Sequence, residues 1–537
     1  MQEVDVENVN FGNIWRQQAE FNPDQTALIQ GDDTLTRGDW LDRSTRLAGS
    51  FAAMGLRPGD HVGVALRNSF EIFEVYFACF LAGFVPVNTN YRYEADELRY
   101  VWDNADIRLA VFDSDMDERV EKAKPGLPGV VGWVSAERGT GAVPPWALGF
   151  DVCRHGERPA DLPTRGGDDI FLLYTGGTTG MPKGAVWRQG DFFRVLHGTS
   201  RRKGKSSQGE AGGQRSEGGD RPVAVVGPPL IHGTGMAIAW GALDEGGTVV
   251  LLPDGRFDAD EMVGAISRHR ASIVAIVGDA FGVPLAASFE RNSDKDVSSL
   301  RRIVSSGAIW SPKNKAALAA AVPSARLVDM FGSSETVGVG RSVWNGGGKE
   351  GPPQFTVGKN IRILTEDGGV SPVLPGVSGR IAVGGPTALG YYKDSELSEK
   401  RFVEADGERW FVTGDMVSVD DDGSSRFLGR GNMCINTGGE KVYPEEVEVA
   451  IKAVDGVVDV GVVGAVDERY GEVVCAVVDV GDVEVDVTTI PSQIRGTLAG
   501  YKIPKYVFEG TVFRLANGKL DYSKLKEWVA GQVAEVV

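Results

Sequence analysis

Residues 174–184 read Tyr-Thr-Gly-Gly-Thr-Thr-Gly-Met-Pro-Lys-Gly and follow the apolar run Phe171-Leu172-Leu173. A buried strand that opens into a flexible, hydroxyl-rich, singly cationic loop can turn N–H groups and hydroxyls toward one point, making a concavity that favours phosphate oxygens. A plain glycine turn accounts for Gly176, Gly177 and Gly180 but not for the added Thr175, Thr178, Thr179 and Lys183. The loop is not a Walker A motif, because Lys183 stands between Pro182 and Gly184 where that motif needs Gly-Lys-Ser/Thr. No GxGxxG follows a strand, so the dinucleotide fingerprint is absent too.

Outward from this loop, composition limits the setting. A chain of 537 residues suggests two to four domains, and 42% hydrophobic with 24% charged residues is ordinary for a folded soluble protein. The formal charge of −18, from 74 acids against 56 bases, repels nucleic acid and anionic membrane over most of the surface, which excludes both as partners. Cys79, Cys153, Cys434 and Cys475 lie far apart with no CxxC pair, so neither a zinc site nor a disulfide framework is indicated. The acidic start MQEVDVENVNFGN lacks the regions of a signal peptide, and the expected location is the cytoplasm. The most apolar segment, 75–87, is 13 residues long and ends near Pro86, short of the roughly 20 needed to cross a bilayer. It reads as a core helix running into a strand.

Residues 37–115 alternate helical patterns with short β-branched runs such as HVGVAL and LAVFD, the rhythm of βαβ units. The rhythm returns in RPVAVVGPPL, in TVVLLP before ADEMVGAISRHR, and in SIVAIVG, so the fold class is α/β with layered sheets. The run 199–221 has no large apolar residue and reads as a disordered surface loop. After Asp415 the texture changes. Pro444 followed by two glutamates is a helix start, and the strand-like VVDVGVVGAV and EVVCAVVDV fall in a compact α+β unit. The expected division is 1–430, a large N-terminal domain of several subdomains, and 431–537, a small C-terminal domain, with Gly429-Arg430-Gly431-Asn432 as the boundary.

Four further segments carry chemistry. Asp329-Met-Phe-Gly-Ser-Ser-Glu335 follows a strand-like run and offers Phe331 as an aromatic face for a purine, the hydroxyls of Ser333 and Ser334 for phosphate, and Glu335 for a magnesium ion. Asp415 ends Trp-Phe-Val-Thr-Gly-Asp in a tight turn suited to two ribose hydroxyls, Arg430 stands at that boundary, and Lys519 sits on an Asn-Gly-Lys turn near the C-terminus. In this order and spacing the chain resembles the adenylate-forming acyl-CoA synthetase superfamily, which also holds luciferases and peptide-synthetase adenylation domains; the likeness runs from about residue 15 to 525. The segments PPLIHGTGM, GDAFGVPL, INTGGEKVYPEEVE and GYKIP are most similar to the actinobacterial branch of fatty-acid and steroid-side-chain CoA ligases.

The resemblance implies a large domain that binds ATP or AMP and a carboxylic acid, and a small domain that rotates between two half-reactions. It implies that Lys183 with Thr175, Gly176, Gly177, Thr178, Thr179 and Gly180 holds phosphate, that Glu335 with Thr178 holds magnesium, and that Gly307-Ala308 and Phe331 border the adenine. Asp329 and Gly332 to Ser334 belong to the same nucleotide motif, and Asp415 and Arg430 hold the ribose. Lys519 would bridge the α-phosphate and the carboxylate, and Thr437-Gly438-Gly439-Glu440 would admit the pantetheine arm of coenzyme A, glycine allowing a close approach. His232 falls where the family places a residue beside the acyl carboxylate, and the acyl pocket is expected along Phe192–Val195, His232–Met236, Gly278–Phe281 and Gly307–Ile309.

PPLIHGTGM has no acid to pair an α-ammonium, which argues against amino-acid substrates and for a bulky apolar acid, steroid- or terpenoid-like or fatty. Asn432 and Asn436 depart from the family's hinge chemistry, so a ligase that chiefly converts acyl-AMP to the thioester stays open. So do transfer to a separate carrier protein or amine, and a non-catalytic acyl-nucleotide binder; a homodimer leaves no readable mark.

Overall fold

The computed structural model describes residues 9–536 except 139–140, 163, 176–180, 198–220, 309, 345–353, 359, 365–368, 422–424, 431–432, 434, 438–439, 468–469, 482–484, 496, 499 and 516–517, and in addition not the side chains of 354, 356, 426–430, 436, 440 and 441. The loop expected over 199–221, apart from Arg221, and the boundary pair Gly431-Asn432 therefore lie outside the described residues.

Two large sheets and one small sheet carry the described residues. One part of the first is parallel: Thr26–Gln30, Thr248–Leu251, Val223–Val226, Ile273–Ile276, Arg302–Ser306 and Arg326–Phe331 lie side by side. It then continues antiparallel from Gly340–Val343 to Glu408–Val419 and Ser425–Arg430. The second sheet has His61–Ala65 between Val85–Asn88 and Ile107–Asp113, all parallel, which realises the βαβ rhythm of the N-terminal region. Beyond Val85–Asn88 it continues into the hairpin Ile170–Thr175 and Lys183–Arg188 that flanks the glycine-threonine loop, with Gly390–Tyr391 at its edge. The third sheet begins at Ile435 and centres on the hairpin Asp459–Asp467 and Gly471–Asp479. The architecture is α/β, a large N-terminal part with a smaller C-terminal one.

Helices are held between the sheets by what they bury. Phe70–Ala82 is buried over most of its surface, packed between the helices Phe11–Phe21 and Arg37–Ala53 and the second sheet. Its Glu71 and Glu74 are answered by Arg138 and Arg154, and it ends at Gly83 in the left-handed conformation. The helix Gly233–Asp244 buries Trp240 against Phe11, Tyr76, Phe80 and Phe171, with ring centroids 4.9 to 5.5 Å apart. Truncating Trp240 would cost roughly 3–5 kcal/mol and release the helix that bears His232 at its N-cap. In the small sheet's layer, Pro444 opens the helix Pro444–Lys452, and the Glu446 carboxylate accepts the N–H of Tyr443 at 3.2 Å.

Candidate active site

The loop Pro228–His232 carries no regular structure, yet it is pinned from two directions. Asn68 donates to the carbonyl of Pro228 at 2.9 Å and accepts the N–H of Leu230 at 2.7 Å. Asn88 donates to the carbonyl of Ile231 at 2.7 Å and to that of Tyr174 at 2.8 Å, and accepts the Tyr174 N–H at 2.5 Å. Both asparagines are buried, so each bond is protected from water. His232 is thereby fixed at the strand that leads into the glycine-threonine loop.

A cavity of about 1230 Å³ opens at this point. Its wall includes Thr175 and Lys183 from the second sheet, and Gly307, Gly332, Ser333, Ser334, Glu335 and Asp415 from the first. His232 borders it from the Pro228–His232 loop and Lys519 from the small C-terminal part. Lys183 lies 3.5 Å from Asp394 on the exposed side. The Glu335 carboxylate accepts the hydroxyl of Tyr391 at 2.6 Å, and its loop is tied down by Trp187 donating to the carbonyl of Ser334 at 2.8 Å. Burial and then the Glu335 charge push the Tyr391 phenol up, so it stays a donor. Val337 in the same loop holds φ of 60°, a conformation in which a β-branched residue is strained, and it too borders the cavity.

Lys519 arrives on a tight turn. Leu515 donates its N–H to the carbonyl of Lys519 at 2.7 Å, and Gly518, at φ of 81°, rests so near the large domain that a β-carbon there would stand 3.3 Å from that of Ala280. Gly307, at φ of 89°, leaves the space over which the lysine passes: an added β-carbon would lie 3.7 Å from Lys519 Cε and 3.9 Å from Thr234 Oγ1. Burial first, then the charges of Lys519 and Arg92, push the His232 imidazole down to about 4, so at neutral pH it is uncharged. Beside the turn, Lys452 lies 3.7 Å from Asp279 across the contact between the two parts.

Several expected site residues stand elsewhere. Asp329 forms a buried ion pair with Lys315 at 2.7 Å, and the Phe331 ring packs on Phe355 with centroids 5.5 Å apart; neither borders the cavity, whereas their neighbours Val328 and Met330 do. Phe331, expected to stack on adenine, has its ring against Phe355 here, and the stacking role stays a proposal. Ala308 borders the small cleft shared with Glu448, Lys452 and Arg514 instead of the main cavity. Phe192 and Phe193 are core residues, and Val195, Leu196 and His197 take the expected place along that helix. Met236 is buried while Thr234, Ala237 and Ile238 face the cavity, and Val277 does so in place of Gly278–Phe281. Gly176, Gly177, Thr178, Thr179, Gly180, Ile309, Gly438 and Gly439 lie outside the described residues, as does the side chain of Arg430, whose backbone pairs with Asp415. Asn68, Asn88, Tyr391 and His197 had no local signal, since their partners are far away in the chain.

Comparison with known proteins gives this site its class. Residues 15–392 match the model of the AMP-binding enzyme family, and 446–519 match the AMP-binding enzyme C-terminal domain. The chain belongs to the AMP-binding enzyme family and is an acyl-CoA ligase within it. It is 36% identical, over 98% of each chain, to a medium/long-chain-fatty-acid–CoA/3-oxocholest-4-en-26-oate–CoA ligase of Mycobacterium tuberculosis. It is 34% identical to a 3-oxocholest-4-en-26-oate–CoA ligase of Rhodococcus rhodochrous, over 98% of this chain and 97% of that one. Its fold is similar to that of the anthranilate CoA ligase AuaEII in complex with anthranoyl-AMP, with a TM-score of 0.83, 21% identity and 98% of each chain covered.

Proposed function

We propose that this ligase activates a bulky apolar carboxylic acid, fatty or steroid-like, through an acyl-adenylate to the coenzyme A thioester. The observation that carries the reading is the joining of Lys183, Glu335, Asp415, His232 and Lys519 in the wall of one cavity that continues into an apolar lobe. The named acids of its relatives, medium/long-chain fatty acids and 3-oxocholest-4-en-26-oate, suit that lobe.

In the first step the carboxylate attacks the α-phosphorus of ATP and pyrophosphate leaves. Charge gathers on phosphate oxygens, so the work of the protein is to place cations and N–H donors there. Lys183 and Thr175 at the loop ends hold the distal phosphates, Asp415 holds the ribose, and Lys519 over Gly307 bridges the α-phosphate and the carboxylate. Neutral His232 borders the carboxylate without drawing it away from the phosphorus. Glu335 is a hard oxygen donor oriented by Tyr391 and suits a magnesium ion, which neutralises phosphate charge when bound. In the second step the thiol of coenzyme A attacks the acyl carbonyl and AMP leaves, after the turn bearing Lys519 has withdrawn.

The test separates the steps. The enzyme is incubated with ATP, magnesium and a panel of acids, then with coenzyme A added, then with synthetic acyl-AMP, and products are read by mass spectrometry. Acyl-AMP and thioester from apolar acids are expected, with Lys519→Ala losing about a hundred- to a thousandfold in the first step alone. Pyrophosphate without thioester would instead indicate a carrier or amine acceptor, and thioester only from supplied acyl-AMP a ligase of one half-reaction.

A further inference from the structure

A ligase must hold two substrates at once, and here the chain segments that lead to both of them hang on one side chain. Tyr174 directly precedes Thr175, at the root of the glycine-threonine loop, and Ile231 directly precedes His232; Thr175 and His232 both border the cavity. The Asn88 carboxamide joins the two segments. Of its two N–H donors, one goes to the carbonyl of Tyr174 at 2.8 Å and one to that of Ile231 at 2.7 Å, while its oxygen accepts the N–H of Tyr174. Both donors are thereby used.

Asn88 ends the strand Val85–Asn88, which among the described residues has one backbone pair with Ile170–Thr175, Val87 with Leu172. Past that pair the ladder is carried by a side chain: the Asn88 amide meets both the N–H and the C=O of Tyr174, as a backbone residue would. Asn88, Tyr174 and Ile231 are buried, so water does not replace a bond that is lost there. A planar amide cannot follow one partner without shifting the other. Asn68 supplies the contrast. It is buried as well and pins the same loop, at Pro228 and Leu230, but among the described residues its side chain bonds that loop alone.

We propose, resting on the ligase reading, that Asn88 couples the two substrate sites. Nucleotide held at Thr175 orders the chain at Tyr174 and, through the amide, the chain at Ile231, so the acid meets a His232 already in place. The second ligand then costs the protein less conformational freedom than the first. By linkage, the acid tightens nucleotide binding by the same factor that nucleotide tightens acid binding. Asn88 acts through the two backbones it holds and is a positioning residue.

The test uses the whole enzyme with α,β-methylene-ATP and magnesium, which cannot turn over, and with decanoate or 3-oxocholest-4-en-26-oate as the acid. Binding is read by titration calorimetry. In the natural protein, saturating nucleotide should tighten acid binding about tenfold, and saturating acid should tighten nucleotide binding equally. In Asn88→Leu both factors should fall below about twofold. Asn88→Ser, whose single hydroxyl cannot donate to two carbonyls, should do the same and stands in if Asn88→Leu does not fold. Asn68→Leu loosens the loop without cutting the bridge: the acid should bind more weakly with and without nucleotide, and the factor should persist. A merely structural role would make the Asn68 and Asn88 variants alike. Absence of coupling in the natural protein, its survival in the Asn88 variants, or its equal loss in Asn68→Leu would overturn the role of Asn88 and leave the ligase standing. Binding of neither acid, with nucleotide or without it, would overturn the reading as an apolar-acid ligase and this coupling with it.

Discussion

Arg514 grips Asp459 through two hydrogen bonds, Nε to Oδ2 at 2.6 Å and Nη2 to Oδ1 at 2.7 Å, while its Nη1 holds the carbonyl of Gly518 at 2.7 Å, one residue before Lys519. Asp459 also lies 3.4 Å from Lys452, which reaches Asp279 of the large domain. A chain of charge therefore runs from the N-terminal part to the turn that delivers Lys519. Burial pushes the Asp459 carboxyl up, but the hydrogen bonds and charge of Arg514 outweigh it, and the group is held below its usual range.

Arg514 is accordingly a positioning residue for the first step. Arg514→Met should slow acyl-AMP formation about ten- to a hundredfold through misplacement of Lys519, with Arg514→Lys recovering part of it. Conversion of supplied acyl-AMP to thioester should change much less. Equal loss in both half-reactions, or a matching fall in the melting temperature that explains both, would reduce Arg514 to a structural role.

His232 makes a prediction about stability and pH. Its imidazole takes a proton near 6.5 when unfolded and near 4 in the fold. Between those values the unfolded chain binds more protons, so this group's contribution rises with pH and is lost as pH falls from 6.5 toward 4. The loss is at most ~3 kcal/mol. Urea unfolding of the natural protein and of His232→Gln across that interval should show the steeper decline in the natural protein. Parallel declines would mean that the imidazole is not shielded as its surroundings require.

Much of this could be read along the chain, and the exceptions share a cause. The strand Arg326–Phe331 was legible as a strand, but Leu327 on one face alternates with Val328 and Met330 on the face that borders the cavity, and both faces carry apolar side chains. Hydrophobicity then carries no phase, so which residues turn to the ligand is decided by packing. The loop Pro228–His232 was legible as a motif, whereas its pins come from Asn68 and Asn88, more than a hundred residues earlier. Lys519 was legible because a lysine on a glycine turn has a local signature.

Asp329 supplies the last prediction, since its place in the nucleotide motif and its place in the fold differ. Its carboxylate meets Lys315 at 2.7 Å with both side chains under a tenth exposed. Removing one partner leaves a buried charge uncompensated, and Asp329→Ala should cost about 3–5 kcal/mol. Replacing both, with Lys315→Met and Asp329→Leu, should recover most of that, because a buried ion pair adds little over apolar packing. For the double variant the KM for ATP should stay within about threefold of the natural value, as no uniform binding contact is lost. A tenfold rise in that KM in a protein of restored stability would return Asp329 to the nucleotide site.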